Sequence, residues 1–199
     1  MAVVPAVAQP SGAPLAARRA SGPIELDGRL VEADWHAAEV ASGFLQRDPD
    51  QGEPATEPTE LRLLFDDHAL YVGARLRDSE PSRVARQLSR RDALAEADTF
   101  TLYLDPHRDR RTGVVLQVSA AGVQRDAAIY DDNFEDDTWD GVWESAVAVD
   151  DGGWSVEIRV PFSQLRFPTT PGHAWGVNAR RVVHRKNESS WLTLVPKNE

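Results

Sequence analysis

The chain has 199 residues, 41% of them hydrophobic and 27% charged, which suffices for one folded core and is too short for two large domains. Thirty-two acids against twenty-two bases leave a net charge of -10, which repels phosphate backbones and argues against a nucleic-acid partner. The absence of cysteine excludes a disulfide, a thiolate nucleophile and a thiolate-held metal cluster.

Residues 1–17 carry no charge, but Pro5, Pro10, Gly12 and Pro14 break the segment, and it is too short to span a bilayer. Its apolar run ends in Ala6-Val7-Ala8, the form of a signal-peptide cleavage site, and reads equally as the stump of an export signal or a bland Ala/Pro-rich tail. On either reading residues 1–21 are expected to be a disordered tail and residues 22–199 the domain. Residues 24–26 suggest a short strand. Asp27-Gly28 then turns the chain into a helix over residues 30–40, where Val31, Trp35 and Ala38 share one face. Three prolines and five acids in residues 47–60 mark a surface loop.

From residue 61 the apolar period becomes two. Residues 61–65 and 70–76 form a hairpin about Asp66-Asp67-His68, and a polar, partly helical connection leads from there to a strand at 99–104. Further strands are expected at 114–119, 123–130, 143–149, 154–160, 175–183 and 191–195, with hairpin turns at Ala120-Ala121-Gly122 and Asp150-Asp151-Gly152-Gly153. Pro161 opens a single helical turn. Nine or ten short strands without a strand-helix-strand rhythm predict an all-β fold, an antiparallel β-sandwich of jelly-roll or immunoglobulin-like type with one short N-terminal helix.

No nucleophile elbow, H-E-x-x-H helix or phosphate-binding loop is present, and the five histidines stand singly. A carboxylate pair such as Asp98 and Glu144 would be needed for glycoside hydrolysis. Residues 126–144 hold eight acids and no base, so the segment is either a solvated loop or one neutralised by hard cations through oxygen ligands. Asp131, Asp132, Asp136 and Asp137 are the candidate calcium ligands. Asp136 stands where an EF-hand loop needs glycine and Val142 where it needs glutamate, so an EF-hand is excluded. Trp143, Trp154 and Trp175 are in phase with apolar neighbours and read as core, whereas Trp139, beside Asp140, reads as a platform for the C-H face of a sugar. Twenty arginines against two lysines suit bidentate recognition of hydroxyls or carboxylates, and suit cross-strand ion pairs equally.

The blocks PIELDGRLVEADWHAA, LRLLFDDHALYVGARLRD, ADTFTLYLDP, WSVEIRVPFSQL and WGVNARR, in this order, resemble the family 9 carbohydrate-binding module over residues 23–195. They are most similar to the version found N-terminal to a predicted outer-membrane β-barrel region in bacterial surface proteins. That resemblance implies a sandwich that binds saccharides without cleaving them, structural calcium, export to the periplasm, outer membrane or cell surface, and a role beside polysaccharide catabolism. The founding members clamp a sugar between two tryptophans, and Tyr71 stands here where one would be sought. The ligand contacts expected on this basis are Trp139, Tyr71, Arg90, Arg125 and Asn178. An assembly domain attached to a β-barrel is the alternative function, and the chain reads equally as a fragment or a freestanding copy. A related sandwich family holds haem through Met, and the only Met here is Met1, which argues against haem.

Overall fold

The computed structural model describes residues 6–8, 14–92, 96–131, 134–168 and 174–197. Two sheets pack face to face. Numbered in chain order, the strands are β1 (Ala6–Ala8), β2 (Pro14–Ala16), β3 (Arg18–Arg19), β4 (Leu45–Asp48), β5 (Thr59–Phe65), β6 (Ala69–Arg77) and β7 (Thr99–Asp105). They continue as β8 (Gly113–Ser119), β9 (Gln124–Tyr130), β10 (Phe134–Asp136), β11 (Glu144–Asp150), β12 (Gly153–Pro161), β13 (Gly176–Val183) and β14 (Glu188–Trp191). The larger sheet runs β10-β9-β8-β7-β13-β14-β4 and the smaller β11-β12-β6-β5-β3, while β1 and β2 pair with each other in a separate two-stranded sheet. Every pairing is antiparallel except β3 with β5, so the fold is an antiparallel β-sandwich.

The two-residue period explains the core. Leu61, Leu63, Val72, Ala74, Leu76, Trp154, Val156 and Ile158 of the smaller sheet face Phe100, Leu102, Leu104, Leu116, Val118 and Ala179 of the larger, and all are buried. Trp143 and Trp175 join this core, as their phase predicts. At about 25 cal/mol per Å² of apolar surface removed from water, this layer is the main source of stability.

The smaller sheet also buries part of its outer face. Trp35, Ala38, Leu64, Ala69 and Tyr71 form a second cluster there. The helix that supplies Trp35 is α1 (Ala33–Ala37), far shorter than the expected span of 30–40. Glu32 and Ala38 flank it in extended conformation without a side-chain cap, and the chain then runs out so that Ala41 can bridge Leu61. Val31, assigned by spacing to the apolar face, is exposed.

Three other elements differ from the sequence reading. Residues 24–26 form no strand. The final strand lies at Glu188–Trp191, not at 191–195, because Asn187 takes a left-handed conformation (φ 49°) after the 3-10 turn His184–Lys186 and reverses the chain earlier. Residues 15–21, placed by composition in the tail, are tied into the sandwich. Leu15 is buried in the core, Arg18 and Arg19 pair with Leu64 and Phe65, and Ser21 donates its amide and hydroxyl to Asp34.

Candidate functional site

The outer face of the larger sheet carries the best-organised set of polar and aromatic side chains. Register places Trp191 opposite Arg180, Arg180 opposite Thr101, Thr101 opposite Gln117 and Gln117 opposite Arg125. Directly paired residues share a face, so these five form one row across β14, β13, β7, β8 and β9, roughly 19 Å long at the usual strand spacing. The adjoining row starts with Asn178 opposite Tyr103.

The aromatic end is ordered. Tyr103 and Trp191 stack with ring centroids 5.2 Å apart and planes inclined by 24°. The guanidiniums of Arg180 and Arg47 lie 5.6 and 5.9 Å from the Trp191 ring centroid. Burial raises the pKa of Tyr103, partly opposed by the charge of Arg180, so its hydroxyl stays a neutral donor and acceptor. Trp191 Nε1, Thr101 Oγ1 and Arg180 Nε are buried and have no hydrogen-bond partner among the described residues. Trp191 Nε1 and Arg180 Nε can only donate and the Thr101 hydroxyl can do both, so these three atoms lie beneath the row as unmet polar groups while Arg180, Gln117 and Arg125 present its reachable polar surface.

At the far end of the row Arg125 donates to Glu135 and Asp137. Burial alone would lower the pKa of this guanidinium, and the two carboxylates reverse that and raise it. The expected contacts therefore divide. Arg125 lies in the row and Asn178 beside it, although the Asn178 amide is spent on both backbone groups of Thr193. Trp139 is half-buried against the core and lies over Gly141, and Arg90 is an exposed loop residue. Tyr71 lies on the other sheet, 6% exposed, and donates its hydroxyl to Asp66. Spacing alone missed Tyr103, Trp191 and Arg47, whereas Arg180 already reads as an arginine on the polar face of its strand. Only strand order brings β4, β14, β13 and β7 side by side, although the alternation in residues 99–104 already sets Tyr103 opposite to Leu102.

The acidic stretch is met by arginines. Asp131 pairs with Arg111, Asp137 with Arg125, and Asp126 and Asp140 with Arg91, while Asp136 accepts the amide and hydroxyl of Thr138. Asp132 lies outside the described residues. Among the described residues no three His or carboxylate side chains converge on a common point, so Asp131, Asp136 and Asp137 as placed do not fit a calcium cage. Asp98 and Glu144 are equally ill-suited to hydrolysis. Asp98 is wholly buried and accepts the His184 amide, whereas Glu144 pairs with Arg159 on the outer face of β11.

A family model described as carbohydrate family 9 binding domain-like matches residues 26–189. No curated protein matches the chain. Among solved structures, a family 9 carbohydrate binding module from Caldicellulosiruptor kristjanssonii in complex with glucose is 18% identical, with 88% of this chain and 85% of that chain covered and a TM-score of 0.62. A second from the same organism, in complex with cellotriose, is 16% identical over 87% of this chain and 80% of that chain, with a TM-score of 0.58. A putative carbohydrate-binding protein from Bacteroides uniformis is 10% identical over 92% of this chain and 90% of that chain, with a TM-score of 0.70. At these identities the likeness is one of fold.

Proposed function

Because this chain belongs to the carbohydrate family 9 binding domain-like family, we propose that it is a non-catalytic saccharide-binding domain of an exported bacterial protein, and that the sugar docks on the outer face of the larger sheet. The observation that carries the reading is the row from Trp191 to Arg125, with the Tyr103–Trp191 stack at one end and the partly exposed side chains of Arg180, Gln117 and Arg125 along it. A pyranose offers an apolar C-H face to the rings and hydroxyls to the forked guanidiniums and the Gln117 amide. Two of its fold relatives were solved with glucose and cellotriose, which favours neutral sugars as the first ligands to try.

Export, a place beside polysaccharide breakdown and attachment to an outer-membrane β-barrel belong to the same proposal and rest on the resemblance of the five sequence blocks. Among the described residues no helix is long and apolar enough to cross a membrane, which leaves barrel attachment open. Calorimetry with cello- and xylo-oligosaccharides tests the central reading. Binding to the parent that is lost in Tyr103→Ala, with an unchanged melting midpoint, supports it. Absence of binding at millimolar sugar removes it, and copurification with a barrel protein would then favour an assembly role.

A further inference from the structure

We propose that this domain has a second ligand site, on the outer face of the smaller sheet, that binds an acidic sugar through its uronate carboxylate. A depression of about 700 Å³ opens there between β5, β6, β11 and the turn that precedes α1. Its polar lining includes four guanidiniums, from Arg29, Arg62, Arg75 and Arg77, against three carboxylates, from Asp27, Glu60 and Asp150. The local balance is four positive minus three negative charges, one positive, in a chain whose net charge is -10. This is a cationic hollow on an acidic protein, and the saccharide-binding reading enters only in choosing the class of anion.

The lining is held ready. Arg75 is locked by a two-pronged pair with Asp150, at 2.6 and 2.9 Å. Arg62 donates to Glu60 at 2.8 Å, and Arg77 approaches the same carboxylate only to 3.8 Å. The Arg77 side chain is more than half exposed, so its fork is free to turn towards a ligand. Gly73 lies in the row between Arg62 and Glu157, and its lack of a side chain leaves room for Leu30 and Trp35 to form the floor. Exposed Val31 and Val149 give the rim an apolar character.

The charge balance selects the ligand. A volume of this size exceeds an inorganic ion and suits a sugar of one or more rings. One net positive charge matches a single carboxylate, which a guanidinium fork grips in bidentate fashion. A polyphosphate would bring several negative charges against one net positive charge, and Glu60 and Asp150 would repel it more strongly than they repel a single carboxylate. Those same carboxylates accept the hydroxyl hydrogens that a uronate carries beside its one charge.

The test is calorimetry on the full chain with galacturonate oligomers and, separately, with cello-oligosaccharides. Three variants are compared with the parent: Arg62→Ala with Arg77→Ala, Arg77→Glu alone, and Tyr103→Ala, each checked for its melting midpoint. Arg77→Glu changes an exposed side chain and keeps the test open should the double variant fail to fold. Galacturonate binding should fall with salt, weaken about tenfold or more in both arginine variants, and survive Tyr103→Ala. No galacturonate binding to the parent, binding indifferent to the arginine variants, or binding lost in Tyr103→Ala would overturn the second site. The cello-oligosaccharide arm reports on the larger sheet alone. Its failure beside intact galacturonate binding sinks the first proposal without touching this one.

Discussion

Trp35 donates its indole N-H to Glu157 Oε1 at 2.9 Å, with both residues almost entirely out of water. The other carboxylate oxygen accepts the amides of Asp27 and Gly28, at 3.0 and 2.8 Å. Trp35 reaches the acid by lying over Gly73, the residue paired with Glu157 on the neighbouring strand. The turn at Leu26-Asp27-Gly28 and the tryptophan of α1 are thus two ends of one clasp, closed on a single buried carboxyl group. All three donors in that clasp are uncharged.

An acid buried without a cation ionises reluctantly. Burial raises the Glu157 pKa from its ordinary 4.5 to about 7, with the Gly28, Trp35 and Asp27 donors opposing the rise and the charge of Glu32 adding to it. Stability contributed by the neutral acid is therefore complete below pH 4.5 and is lost as pH climbs to 7, by about 3 kcal/mol. Glu57 has the opposite sign. Burial would raise its pKa, but Lys186 and the amide and hydroxyl of Ser79 outweigh it and hold the value at about 2, so its stabilisation is lost as pH falls from 4.5 towards 2. The melting midpoint should peak near pH 5. Glu157→Gln should flatten the decline between about pH 5 and pH 7.5 and leave the acid limb unchanged, and an equally steep decline in the variant would disprove the assignment.

Two glycines separate backbone conformation from close packing. Gly28 and Gly43 both have positive φ, at 83° and 79°. A Cβ on Gly28 would clash with the Val147 carbonyl carbon on β11, whereas one on Gly43 would meet nothing within 4 Å. Gly43→Ala should cost about 1 kcal/mol and Gly28→Ala several times as much, because the clasp would be pushed off β11. Urea unfolding of the two variants measures the difference, and equal losses would mean that the turn does not press on β11.

Most of the longer strands are legible in the sequence because one face is apolar and the other polar, which makes the two-residue period strong. The short strands β3, β4 and β10 hold two to four residues each, too few to show any period. Leu15 and Arg18 are hidden by the Ala/Pro-rich composition around them. For the candidate site, Arg125 and Asn178 are polar residues on strands, and this is the property that places them on the outer face. Tyr71 misleads because a tyrosine between two apolar residues reads as polar-face, and the smaller sheet covers that face with α1. No local pattern announces that Trp191 and Tyr103, far apart in sequence, will stack.

Arg181 lies wholly buried among acids. It donates to the carbonyls of Glu57 and Pro58 and to the Thr59 hydroxyl, and lies 3.6 Å from Asp78, which Arg185 also engages at 2.8 Å. Removing the guanidinium would leave Asp78 and Asp98 short of a countercharge inside the sandwich. Arg181→Met should cost about 3 to 5 kcal/mol. For a domain of this size that lowers the melting midpoint by roughly 6 to 20 °C. A loss below about 1 kcal/mol would show that Arg185 alone neutralises the cluster.

The acidic segment that follows β9 offers the last test. Arg125, held between Glu135 and Asp137, and Arg91, between Asp126 and Asp140, supply the positive charge that a bound cation would otherwise bring. Two unit charges about 4 Å apart repel by about 1 kcal/mol even in water, so removing Arg125 leaves a repulsion that an added ion can relieve. The parent should melt at the same temperature in millimolar calcium and in chelator at matched ionic strength. Arg125→Ala should melt lower in chelator and recover in calcium, since an ion that binds only the folded state stabilises it by about 2.7 kcal/mol at a hundredfold excess over its dissociation constant. A parent midpoint that itself rises by several degrees in calcium would overturn neutralisation by arginine, and Asp131, Asp132, Asp136 and Asp137 would be the first carboxylates to substitute.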